Sequence, residues 1–199
     1  MIVNLSPPGI KCQVGDFVMI VETSADSDSE AKAGRPQRAD LILRTKTNLP
    51  IEFPLPPEIV AGAGEYEISG VRVKGISLDG ETNGQLLRTV YSAELEGIRL
   101  SFLGELSGDA ISQALGKLGA VDILFLSVEP GKLKAKQIAT IVKQLDPKII
   151  IPVGDKTVKL LAEELGQKVE AHEKIVVKKK DLDKEQVTNK LVWLKSAAK

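Results

Sequence analysis

Few side chains in this sequence are equipped for catalysis. It has one Cys, Cys12, and one His, His172. A conventional zinc centre draws three or four ligands mostly from those two residue types, so the chain cannot build one, and a lone Cys cannot form a disulfide within the chain. His172 stands in Glu170-Ala171-His172-Glu173-Lys174 with no Ser or Cys motif beside it. It reads as a solvent-facing residue rather than a general base. Cys12 falls in an apolar, β-branched run and reads as a small core residue, since no base is near to activate it. Lys178-Lys179-Lys180, followed by Asp181, Asp183 and Lys184, could grip a phosphate. It reads better as a solvated edge strand in which lysines discourage pairing. Gly62-Ala63-Gly64 lacks a third glycine and precedes a strand, so it is not a phosphate cradle.

Composition narrows the class of function. The chain has 199 residues, with 27 Lys plus Arg against 27 Asp plus Glu. A net charge of zero removes the long-range attraction that carries binding to nucleic acid or to an anionic membrane. Aromatic residues are 4% of the chain, too sparse for platforms on which bases stack. Hydrophobic residues reach 43%, enough for a substantial core in a single domain spanning residues 1–199. The start, Met1-Ile2-Val3-Asn4-Leu5, has no basic leader region, and no apolar run approaches the ~20 residues that span a bilayer. A single thiol fits a reducing compartment. The expectation is a soluble, cytoplasmic protein.

The elements that must position any site fall into two halves. The first reads as β structure: Ile2 to Leu5, Ile10 to Val14 and Phe17 to Glu22, with Gly15-Asp16 as a hairpin turn. Thr23 to Arg38 is polar and reads as a surface loop. Asp40 to Thr45 reads as a buried strand. The prolines of Leu49-Pro50-Ile51-Glu52-Phe53-Pro54-Leu55-Pro56-Pro57 forbid a helix or a central strand there. Two hairpins follow, Tyr66–Ile76 around Ser69-Gly70 and Thr89–Leu103 around Glu96-Gly97, each alternating apolar and polar residues.

The second half switches to helical spacing. Ala110, Ile111, Ala114, Leu115 and Leu118 form one stripe, with Gly119 as its cap. Ala135, Ile138, Ala139, Val142 and Leu145 form another, closed by Asp146-Pro147. Val158, Leu161, Ala162 and Leu165 form a third, with Asp155 as N-cap and Gly166 as C-cap. Strands Asp122–Ser127 and Ile149–Pro152 lie between them, and Ile175–Lys178 and Leu191–Leu194 close the chain. The pattern predicts an α/β fold of two packed sheets with helices outside. Periodicity alone leaves open how many layers there are.

One series of segments goes further: Ala39–Thr45, Gly64–Ile76, Gly97-Ile98-Arg99-Leu100-Ser101-Phe102-Leu103-Gly104-Glu105-Leu106, Val121–Leu126 and Pro147–Pro152. In order and spacing it resembles the metallo-β-lactamase superfamily, in particular the small stand-alone metal-dependent hydrolases similar to ascorbate-6-phosphate lactonase. The resemblance implies a four-layer αββα sandwich. It also implies a two-metal site held by a His-x-His-x-Asp-His motif after the strand that corresponds to Asp40–Thr45. In this chain those positions are Lys46, Asn48, Pro50 and Ile51. The next family His falls near Leu78-Asp79-Gly80, the bridging Asp is Glu105, and the final His is Gly154, beside Asp155.

The candidate residues of a relic site are therefore Lys46, Asn48, Asp79, Glu105 and Asp155. Lys46 would put a cation where a dication should sit, and Pro50 and Ile51 carry no donor. Carboxylates alone could hold at most one hard ion such as Mg²⁺ or Ca²⁺. Glu105 and Lys46 could instead replace the metals with an ion pair. The expectation is a family member with no metal cofactor and a binding or assembly role, its partner a small ligand or a protein and its state a homo-oligomer. The alternative is a hydrolase working without the metals or with one weakly bound ion.

Overall fold

A computed structural model describes residues 1–6, 9–23, 38–78, 84–106, 114–128, 135–184 and 187–195. The Thr23–Arg38 segment therefore lies largely outside the described residues, as do Asp79 and the start of the helical stripe at Ala110 and Ile111.

Two sheets face each other in a sandwich with helices outside, the arrangement the sequence predicts. The smaller sheet contains β1 (Ile2–Ser6), β2 (Gly9–Val14), β3 (Phe17–Glu22), β4 (Leu41–Arg44), β6 (Ile59–Ala61) and β14 (Lys174–Val176), in the order β14-β1-β2-β3-β4-β6. The larger one contains β7 (Gly64–Ile68), β8 (Val71–Ser77), β9 (Leu86–Leu95), β10 (Ile98–Leu106), β11 (Ile123–Val128), β12 (Ile149–Pro152) and β15 (Lys190–Leu191), in the order β15-β12-β11-β10-β9-β8-β7, with β5 (Lys46–Asn48) paired to β9. A small two-stranded unit joins β13 (Ala171–His172) to β16 (Trp193–Leu194).

The side-chain period of two sorts this sequence into two cores. Along β11, Ile123 and Phe125 face the smaller sheet, whereas Leu124, Leu126 and Val128 face the helices. Along β12, Ile149 and Ile151 point inward and Ile150 outward. This two-sided burial explains why both strands read as continuous apolar runs. The outer core is roofed by the helix Ala135–Leu145 through Ile138, Ile141, Val142 and Leu145. The helix Asp155–Leu165 adds Leu161, and the helical residues 114–118 add Ala114, Leu115 and Leu118. The described residues place no long helix on the outer face of the smaller sheet.

The hairpins form where expected. Ser69-Gly70 and Glu96-Gly97 have positive φ at both central positions, with φ 51° and 77° in the first turn and 50° and 72° in the second. That conformation matches the right-handed twist of the flanking strands.

Several local expectations fail. Lys179 and Lys180 lie in a short helix, Lys179–Leu182, not on an edge strand, because Lys179 reaches back to the buried Asp122 at 3.0 Å. Asp155 does not cap its helix. Gly154 holds the cap position at φ 91° with no side-chain cap hydrogen bond, and Asp155 is the first helical residue. Leu191–Leu194 is not one strand: β15 and β16 belong to different sheets.

Candidate functional site

The chain changes sheets at Thr45. Its amide and its hydroxyl both donate to the carbonyl of Glu22 on β3, at 3.1 and 2.9 Å, while its own carbonyl accepts the amide of Thr89 on β9 at 2.9 Å. On one side of Thr45 the backbone belongs to the smaller sheet. On the other it runs as β5 beside β9, where Lys46 faces Arg88 and Asn48 faces Leu86. Lys46 and Asn48 are thus strand residues, and the Pro-rich segment follows them.

The parallel strands β10, β11 and β12 end at this same edge. Gly104 takes φ 64°, a left-handed value that strains any residue with a Cβ. A Cβ there would lie 3.3 Å from that of Thr45, so the two segments touch. The pairing of β10 with β11 shifts between Phe102 and Glu105, and Glu105 then faces Ser127. The amide of Val153, at the end of β12, donates to Leu126 at 2.8 Å. Backbone geometry therefore gathers Lys46, Glu105, Ser127 and the Gly154-Asp155 turn at one end of the larger sheet. Asp155 is exposed there. Asp79 and the side chain of Glu105 lie outside what the structure describes, so the expected Lys46–Glu105 ion pair is untested.

The space between these segments is small and mostly apolar. A cavity of about 10 Å³ is bounded by Ile10, Val21, Thr23, Thr45, Phe102, Gly104, Phe125, Ser127 and Val153. Its floor is the stacked pair Phe102 and Phe125, with ring centroids 4.6 Å apart. That volume is at the lower limit for one water molecule. Among the described residues, no three His, Cys, Asp or Glu side chains converge on a point that could hold an ion. The charged and amide side chains described at the edge are two cations, an amide and a helix-start carboxylate. By themselves these described groups do not fit a two-metal centre, which needs ions ~3.5–4 Å apart with an open coordination position.

Two groups elsewhere are settled by burial. Cys12 is fully enclosed and its thiol is pushed up to about 12 by loss of solvent, far from a reactive thiolate. His172 is exposed on β13, as its charged neighbours suggest. Arg88 went unnoticed in the sequence. Its place across from Lys46 depends on a strand pairing that no local pattern announces.

The sequence profile of the Beta-lactamase superfamily domain matches residues 10–154. The chain belongs to the metallo-β-lactamase superfamily. Solved structures agree on the fold. A metallo-β-lactamase-superfamily protein from Thermotoga maritima aligns with a TM-score of 0.69 and 15% identity, covering 98% of this chain and 99% of its own. The metallo-β-lactamase fold protein YhfI from Bacillus subtilis aligns at 0.58 and 7% identity, covering 100% and 98%. Igni18, a metallo hydrolase from Ignicoccus hospitalis, aligns at 0.56 and 12% identity, covering 89% and 100%. No curated protein matches the sequence. Among the described residues, no helix of this superfamily member is long and apolar enough to cross a membrane.

Proposed function

We propose that this chain is a metallo-β-lactamase-fold protein that has lost the two-metal site and uses the scaffold for binding or assembly rather than hydrolysis. The observation that carries the reading is the makeup of the edge where Thr45 meets Gly104. The cavity there has about 10 Å³ of room. Lys46 and Arg88 stand opposite one another on β5 and β9. A floor of Phe102 and Phe125 offers an incoming dication no ligand. Metal catalysis in such a site would need neutral imidazoles to hold the ions and lower the pKa of bound water. The only imidazole in the chain, His172, sits on β13 at another sheet.

Metal content measured by plasma emission spectrometry on natively purified protein tests this. The expected result is far less than one ion per chain, and stoichiometric zinc, iron or manganese overturns it. A screen on phosphoesters, lactones and thioesters addresses the alternative of a hydrolase acting with one weak ion. Turnover that disappears in Glu105→Ala would support that alternative against this proposal.

A further inference from the structure

A concavity much larger than that cavity lies away from the Thr45–Gly104 edge. It is a groove of about 640 Å³ on the helix-side face of the larger sheet, where β7 to β10 extend beyond the helices. Its floor belongs to β9 and β10, the hairpin β7–β8 forms one wall, and Leu118 and Ala120 form the other. Arg99, which lines it, is six residues along β10 from Glu105, about 20 Å at the rise of a strand.

The exposed side chains of this face form a row. Glu67 on β7 faces Arg72 on β8. The β8–β9 pairing ends at Val73–Ala93; continued by one step, its register brings Arg72 level with Glu94 on β9, and Glu94 faces Arg99 on β10. Read across the sheet, the signs run minus, plus, minus, plus, and all four residues are exposed. The neighbouring row, Glu65, Lys74, Ser92 and the buried Ser101, adds no charge on β9 or β10.

Reversing a four-member alternating row exchanges every sign. A second copy turned about a two-fold axis that runs along the strands between β8 and β9 therefore sets Glu67 over the partner's Arg99, and Arg72 over the partner's Glu94. The same rotation lays each β7–β8 hairpin over the β9–β10 floor of the other copy's groove. A two-fold axis along the row would instead set each residue over its own copy, glutamate on glutamate. We propose that this groove is a self-complementary dimerisation surface, occupied by the β7–β8 hairpin of a second copy of this chain. It names a surface for the assembly reading above, yet it holds or fails independently of metal content.

The test uses charge reversal on the whole chain, with mass measured by sedimentation equilibrium. The wild type is expected to be a dimer at micromolar concentration, weakening as salt shortens the screening length from ~10 Å to ~3 Å. Arg72→Glu and Glu94→Arg, each folded by circular dichroism, are each expected to lose more than about tenfold in association, since like charges then face across the axis. Mixed in equal amounts, the two variants are expected to recover a heterodimer, because each then supplies the sign the other lacks. A monomeric wild type, single variants that stay dimeric, or a mixture that stays monomeric overturns the proposal. The wild-type mass and its salt dependence decide the matter even where a variant fails to fold.

Discussion

Asp122 holds Arg99 through both carboxylate oxygens. Oδ1 accepts from Nη2 at 2.8 Å, and Oδ2 accepts from Nε at 3.0 Å and from the Arg99 amide at 2.8 Å. The ammonium of Lys179 adds a further bond to Oδ2 at 3.0 Å. The backbone of Asp122 donates to the Arg99 carbonyl at 2.9 Å and accepts the amides of Lys148 and Ile149. One buried aspartate thus joins β10, β11, β12 and the short helix Lys179–Leu182, at the end of the larger sheet opposite Glu105.

Removing that charge leaves two cations facing a neutral amide. Asp122→Asn keeps the size of the side chain but loses the charge-assisted bonds. It is expected to cost about 2–3 kcal/mol, short of a fully buried pair because Arg99 and Lys179 are partly exposed. A lowered urea midpoint with an unchanged m-value is the signature. A midpoint within error of the wild type would show that the cluster is only a surface feature.

The same carboxylate shapes the response to acid. Burial pushes its pKa up, but the hydrogen bonds from the Arg99 side chain, the Arg99 amide and Lys179 outweigh this and hold it well below the ordinary carboxylate range. The unfolded chain, with an Asp pKa near ~3.9, therefore takes up this proton before the folded chain does. The stabilisation is full above that value and drains away as pH falls below it. Unfolding free energy measured between about pH 5 and pH 2 should drop more steeply in the wild type than in Asp122→Asn.

Two glycines are expected to answer alanine with opposite signs. A Cβ on Gly75 would press on the carbonyl of Gly62 and lie 3.0 Å from a ring carbon of Tyr91. That ring is fixed, since its hydroxyl accepts the Gly62 amide at 2.9 Å and donates to the Val60 carbonyl at 3.3 Å. Gly75→Ala should lose about 2–3 kcal/mol through overpacking. Gly116 is an exposed helical residue whose Cβ would meet nothing within 4 Å. Gly116→Ala should gain about 0.5–1 kcal/mol by restricting the unfolded chain. Thermal melts of the two variants give the comparison.

The sequence revealed the elements whose signal is local. Alternation located the β7–β8 and β9–β10 hairpins, and the stripe from Ala135 to Leu145 located its helix. It hid the elements made by partners far along the chain. β5 and β6 are three residues each, flanking a proline-rich segment, and exist because β9 and β4 offer them edges. Lys179 leaves the expected edge strand for a carboxylate 57 positions away. The candidate site was visible only as resemblance, because Lys46, Asn48, Glu105 and Asp155 form no motif of their own. Their shared location arises from three parallel strands ending together, and Arg88 entered by register alone.

Since only Thr45 stands between β4 and β5, the halves of the sandwich are stitched by covalent bonds, not just pressed together. A slip of register in one sheet must drag the other along through that thread. The amides on either side of it should open to solvent as one cooperative block, coupling the rim beside Gly104 to motions that begin as far away as β3.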